Sequence, residues 1–181
     1  MGLMVFAVIL LAACGPSSPV ENLKEDLNRY PQYSIILEDM KQEGNIFKDY
    51  FHRYKIVYAE KVDNSDSLVF LDNITDWLEV KEKEYQKYQD YLGMAIASKT
   101  PDGEVTEAKY PPGYQYVGNP RYGQWRQDSH GNSFWEFYGK YAFISSMFSL
   151  FSRPVYMNDW DTYRDYRQTG RPYYGRNQRY G

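Results

Sequence analysis

The apolar positions of this chain change period along its length, and each period predicts a different element. Val20, Leu23 and Leu27 recur at helical spacing and Pro31 stops them, which predicts a short amphipathic helix over 20–30. Residues 33–42 and 46–60 switch to a period of two. In the second segment Ile46, Tyr50, His52, Tyr54, Ile56 and Tyr58 share one face, and Glu43-Gly44-Asn45 joins the segments as a hairpin turn. A polar turn over 63–67 leads to a short apolar strand, Leu68 to Leu71. Trp77, Leu78, Tyr85, Tyr88 and Leu92 then return to helical intervals behind Asp76, with Glu79 three residues on, predicting a helix over 76–91. Met94–Lys99 and Glu104–Lys109 flank Thr100-Pro101-Asp102-Gly103, a turn sequence that predicts a second hairpin.

Beyond Tyr110 the pattern breaks. Tyr110-Pro111-Pro112-Gly113-Tyr114, Gly118-Asn119-Pro120 and Arg121-Tyr122-Gly123 are turn-forming and predict a loop or extended arm. Ser133 followed by Glu136, with Lys140 four residues further, has the spacing of a capping box that opens an apolar helix over 134–151. From Arg153 to Gly181 there are six Arg, three Asp, six Tyr and almost no aliphatic residue, so this tail is expected to stay largely flexible. The expected class is α+β: a short N-terminal helix, two antiparallel hairpins, a middle helix, an apolar C-terminal helix and an Arg/Tyr-rich tail.

Composition sharpens the division near Tyr110. Residues 1–109 carry 12 basic and 19 acidic residues, whereas 110–181 carry 9 and 5. The cation also changes, from 10 Lys and 2 Arg to 1 Lys and 8 Arg, and 12 of the 20 Tyr lie after the boundary. Arg stacks on rings and grips anions with a planar fork, so the second half has the chemistry of adhesion. With one Cys and two His, the chain has no disulfide of its own and no thiolate or imidazole cluster for zinc, iron–sulfur or haem; no metal or cofactor is expected.

At the N-terminus, Leu3 to Ala13 is an uncharged run of 11 residues, shorter than a bilayer span and of the length of a secretory signal core. It ends Leu11-Ala12-Ala13-Cys14, followed by Gly15-Pro16-Ser17-Ser18-Pro19, which cannot continue a helix. This segment resembles the lipobox of bacterial lipoproteins. The resemblance implies cleavage before Cys14, diacylglycerol on its sulfur and an acylated amino group, hence a membrane anchor in the bacterial cell envelope. Gly15 after the cysteine implies the outer membrane, facing the periplasm, where the host has two membranes. Myristoylation is excluded, since Phe6 stands where that signal needs Ser or Thr. The expected organisation is a signal peptide over 1–13, a linker over 14–19, a small α+β domain over 20–109, a Tyr/Gly/Pro loop with the apolar helix over 110–152, and the tail over 153–181.

The functional expectation is a membrane-anchored binding or assembly module acting through its C-terminal arm. Trp125, Trp135, Tyr156, Trp160, Tyr173 and Tyr174 would supply ring faces, and Arg164, Arg167, Arg171, Arg176 and Arg179 cationic forks. The candidate partners, besides the membrane itself, are an anionic envelope polymer, a glycan or a membrane protein; nucleic acid is not expected on the exported side of a membrane. The rival reading is an envelope hydrolase using Asp or Glu in a Tyr-lined cleft. Asp128-Ser129-His130 reads as a polar turn, because a catalytic triad is defined in space and no Gly-x-Ser-x-Gly elbow accompanies it. His52 reads as a structural histidine, and the carboxylates of 79–90, mixed with Lys81, Lys83 and Lys87, as a solvated helix face.

Overall fold

A computed structural model describes residues 18–62, 64, 67–148 and 154–181. The fold is α+β, built on an antiparallel sheet. Helix α1 (Pro19–Leu27) leads into the long strands β1 (Gln32–Glu43) and β2 (Asp49–Lys61). There follow β3 (Leu68–Ile74), β4 (Leu78–Val80), helix α2 (Glu82–Tyr88), β5 (Ala95–Lys99) and β6 (Val105–Thr106). The strand order is β3-β2-β1-β5-β6, and β4 pairs with β2 at its hairpin end, where Tyr50 opposes Val80.

Alternation along the strands divides the apolar side chains between two faces. Tyr33, Ile35, Leu37, Tyr54 and Ile56 pack with Val20 and Leu27 of α1 and Tyr88 of α2. Ile36, Val57, Ala59 and Phe70 point the other way and are covered by the second half of the chain, through Tyr110, Tyr114, Tyr116, Tyr122, Trp135, Ile144, Tyr163 and Tyr173. The change in composition at Tyr110 therefore marks where the chain passes from one face of the sheet to the other, and the main core draws on both halves.

Tyrosine builds much of this core, and several of its hydroxyls find partners inside it. Tyr33, Tyr54, Tyr88, Tyr110, Tyr116 and Tyr122 are among the largest fully buried side chains. The Tyr110 hydroxyl donates to Gln115 Oε1 at 3.0 Å, Gln32 Nε2 donates to the Tyr122 hydroxyl at 2.8 Å, and the Tyr54 hydroxyl lies 2.9 Å from His52 Nδ1. Edge-to-face pairs such as Tyr110–Tyr163 and Tyr116–Tyr122 each add about 0.5–1.5 kcal/mol beyond burial.

Three sequence expectations are corrected. The segment 134–151 is not one apolar helix. Ser133–Phe137 is strand β8, paired with β7 (Gly123–Gln127), and among the described residues of the segment the α-helix, α3, is confined to Ala142–Met147. Glu136 points not back to Ser133 as a cap but across the hairpin, 3.3 Å from Arg126, and Trp135 opposes Trp125. The middle helix is also shorter than 76–91, because Leu78–Val80 gains more by completing the sheet edge beside β2. The tail over 153–181 is not a free arm. Met157–Gln168 is helix α4, Val155, Tyr163 and Tyr173 are buried, and the backbone NH groups of Tyr173 and Gly181 donate to Lys109 and Leu92. Ring area supplies the burial that a count of aliphatic residues leaves out.

Candidate functional site

Three segments converge on a cleft of about 740 Å³, within the size range of small-molecule and oligomer sites: the β5–β6 turn with Asp102 and Glu104, the uncharged stretch Tyr114–Pro120, and the face of α4 carrying Trp160, Tyr163, Arg164 and Arg167. Spacing along α4 puts Trp160, Tyr163, Arg164 and Arg167 on one side of the helix. Gly113, at φ +86°, starts the single tight turn Tyr114–Tyr116 that carries Gln115 inward.

The cleft wall is fixed by named contacts. Trp160 Nε1 donates to the Val117 carbonyl at 3.0 Å, and the Arg164 guanidinium lies 4.6 Å from the centre of the Trp160 ring. Arg167 pairs with Glu104 at 2.5 Å, holding the β5–β6 turn against α4. Tyr163 packs edge-on against Tyr110 and Tyr114, at 5.3 and 5.4 Å between ring centres.

Two polar atoms in this wall lack a hydrogen-bond partner among the described residues. Gln115 is 8% exposed; its Oε1 accepts from Tyr110, but its Nε2, close to the Tyr116 hydroxyl, meets no acceptor in bonding geometry. The Tyr163 hydroxyl lies near Arg167, likewise without bonding geometry. Leaving such a group unsatisfied costs about 1–3 kcal/mol. Burial raises the Tyr163 hydroxyl pKa against the opposing pull of Arg167, so it stays a proton donor. Burial lowers the Arg167 pKa, but Tyr163 and Glu104 outweigh this and hold it raised. The cleft thus presents two guanidinium forks beside an indole, with the Gln115 amide and the Tyr163 hydroxyl buried in the wall behind them.

The residues singled out from the sequence divide three ways. Trp160, Arg164 and Arg167 line the cleft. Trp135 and Tyr173 are buried and belong to the core, a correction to their role as free ring faces; burial pushes the Tyr173 hydroxyl up to about 12. Trp125 is half-buried between Trp135 and Trp160, at 5.2 and 5.5 Å. The rest sit apart from the cleft. Tyr156 has Arg176 over its ring at 5.7 Å, Arg171 caps Tyr166 at 4.4 Å, Tyr174 stacks on Tyr91 at 6.0 Å, and Arg179 is exposed. Cys14 lies outside the described residues.

Sequence reasoning missed Gln115, Tyr114, Tyr163 and Gly118. The signal available was the stretch 111–120, ten consecutive uncharged residues between Lys109 and Arg121, which fits a buried segment better than a solvated loop.

Outside the cleft, His130 lies in the β7–β8 turn, where its backbone NH and that of Asn132 donate to Asp128, both at 2.9 Å, as in the expected polar turn. Hydrogen bonds from Asn132 and His130 hold the Asp128 carboxyl below its ordinary range. His52 is fully buried with its Nε2 unpartnered. Among the described residues no group of His, Cys, Asp and Glu is placed to hold a metal ion, and no helix is long and apolar enough to cross a membrane.

Comparison of the chain with protein-family models, with curated proteins and with solved structures finds no match.

Proposed function

We propose that the chain is a bacterial envelope lipoprotein, acylated on Cys14 and held in the outer membrane where the host has two, and that it binds an anionic envelope polymer through the α4 cleft. The anchor rests on Leu11-Ala12-Ala13-Cys14 and the helix-breaking linker that follows. The binding role rests on one observation: Arg164 and Arg167 bring two guanidinium forks to one wall of the cleft, with the Trp160 indole beside them. A ligand rich in carboxylate or phosphate oxygens matches those forks, and its sugar or backbone atoms can lie along Trp160. Glu104, whose side chain is 62% exposed on a turn, pairs with Arg167 and is the group an incoming carboxylate would displace.

Asp102 and Glu104 in a Tyr-bearing cleft are the observation that favours the hydrolase reading. Glu104 is ion-paired and Asp102 is exposed on the turn, so neither occupies the enclosed apolar setting that raises a general acid. Binding without turnover fits these surroundings better. The test is cosedimentation of the full chain with purified peptidoglycan sacculi, with poly-L-glutamate as competitor. The reading expects pelleting at low salt that the polyanion reverses. Pelleting unaffected by the polyanion, or release of soluble fragments from the sacculi, contradicts it.

A further inference from the structure

The long β1–β2 hairpin ends in an apolar point. The two strands pair as far as Glu43 and Asp49, and the chain then turns through Gly44, at φ +88°, to Lys48. At the apex Ile46 and Phe47 are 88% and 86% exposed, far more than any other large hydrophobic side chain among the described residues. A reversing turn asks for Gly, Asn, Asp or Ser. Nothing in the fold requires an isoleucine and a phenylalanine there.

The hairpin tip and the N-terminal end of the described chain lie at the same end of the sheet. Helix α1 runs opposite to β1. At its C-terminal end the Asn28 carbonyl accepts from Lys99 at 2.9 Å, and Lys99 opposes Tyr33 near the start of β1. At its N-terminal end Ser18 bonds Glu84 of α2, whose neighbour Tyr85 rests on Tyr50 with ring centres 5.0 Å apart, three residues from Phe47. From Ser18 back to Cys14 is four residues, at most ~14 Å of chain.

Behind the tip comes a band of rings and cations, in which Lys41 pairs with Glu43 at 2.6 Å and Arg53 with Asp39 at 3.3 Å. Lys41 lies over Phe51 and Trp77 at 5.0 and 4.7 Å, and Arg53 over Trp77 at 4.9 Å. Aromatic rings beside basic groups, set back from an apolar point, have the chemistry of a side chain array at the headgroup level of a bilayer. A second copy of the chain is a poorer occupant, because two side chains fall well short of the roughly 1,000 Å² that a stable protein interface buries.

We infer that the Ile46–Phe47 tip inserts into the phospholipid surface that holds the acyl anchor. This rests on the lipoprotein reading given above. Two points of attachment fix the orientation of the module. The β5–β6 turn, which follows Lys99, lies at the opposite end of the sheet from the tip, so the α4 cleft is held away from the membrane, toward the polymer it would bind.

The experiment uses full-length acylated protein in vesicles of phosphatidylethanolamine and phosphatidylglycerol. With Cys14 carrying its lipid, Phe47→Cys supplies the one free thiol for an environment-sensitive fluorophore, and Asp102→Cys at the opposite end supplies the control. Both positions are exposed, so labelling leaves the packing intact. Flotation is read first, then emission and quenching by nitroxide-bearing lipids. The inference expects protein that floats, with blue-shifted emission and several-fold stronger quenching at 47 than at 102. Floating protein with equal quenching at the two positions overturns the tip insertion and leaves the anchor standing. Protein that does not float overturns the anchor, and the insertion with it.

Discussion

Gly118 and Trp160 are in such close contact that only a hydrogen fits between them. A Cβ on Gly118 would come within 2.2 Å of the indole Cζ2, and the residue sits at φ +78°, where L side chains are strained. The indole is held in turn by its bond to the Val117 carbonyl, so the loop and α4 define one wall of the cleft together.

Gly118→Ala should therefore push Trp160 out of place. The expected cost is about 2–4 kcal/mol, from the positive φ and the overpacking together. Urea unfolding followed by Trp fluorescence measures it, and the native emission maximum should move as the indole shifts.

Removing residues 154–181 should not leave a folded domain behind. Val155, Tyr163 and Tyr173 cover Tyr110, Tyr114 and Trp135, and their loss uncovers the core on that face of the sheet. The truncated chain is expected to bind a hydrophobic dye and to elute as aggregate in size-exclusion chromatography, where the whole chain stays monodisperse.

How much of this was legible in the sequence follows from which residues carry the pattern. The first hairpin could be read because β2 alternates through His52, Tyr54 and Ile56 and Gly44 marks the turn, and α1 because Val20 and Leu27 share one face ahead of Pro31. The β7–β8 hairpin was hidden by an accident of spacing: Ser133, Glu136 and Lys140 fit a capping box, although Trp135 alternates inward between Phe134 and Glu136 and Gly131, at φ +83°, closes the turn. Helix α4 was hidden by its composition. Its residues count as polar, yet Tyr163 is 3% exposed and buried among other rings, so a rule based on aliphatic content reads a packed helix as a tail. Of the cleft, Trp160, Arg164 and Arg167 stood out for their chemistry. Gln115 and Gly118 did not, because their roles come from tertiary placement alone.

Acid should destabilise the fold through His52. The imidazole is fully buried, with Tyr54 on Nδ1, Tyr85 stacked on it, Tyr88 edge-on and Glu84 acting on Tyr54 nearby, and burial lowers its pKa from 6.5 to about 4. The unfolded chain takes up the proton first as pH falls. The contribution is thus present in full above pH 6.5 and is lost between 6.5 and about 4. Between pH 7 and pH 5 the loss should be about 2 kcal/mol. Glu107, whose carboxyl Lys24 holds below its ordinary range, adds its own loss at lower pH. Urea unfolding at the two pH values checks the expectation, and His52→Gln should flatten the difference.

Tyr163→Phe separates stability from binding. The hydroxyl is buried without a bonding partner, so its removal should raise stability by up to about 1 kcal/mol. If that hydroxyl donates to a bound polymer, the same variant should bind sacculi more weakly. A change of equal sign in both measurements would assign the group to the fold and not to the ligand.

Where the cationic forks act is measured most directly by the affinity of the full chain for purified sacculi in two double variants. Arg164→Ala/Arg167→Ala removes the forks of the cleft, whereas Arg171→Ala/Arg179→Ala removes equal charge elsewhere on the surface. The first should weaken binding by about 10- to 100-fold, as expected for one or two lost charge-assisted hydrogen bonds, and the second by no more than about twofold. Equal losses in the two variants, or none in the first, would contradict a binding site in the α4 cleft.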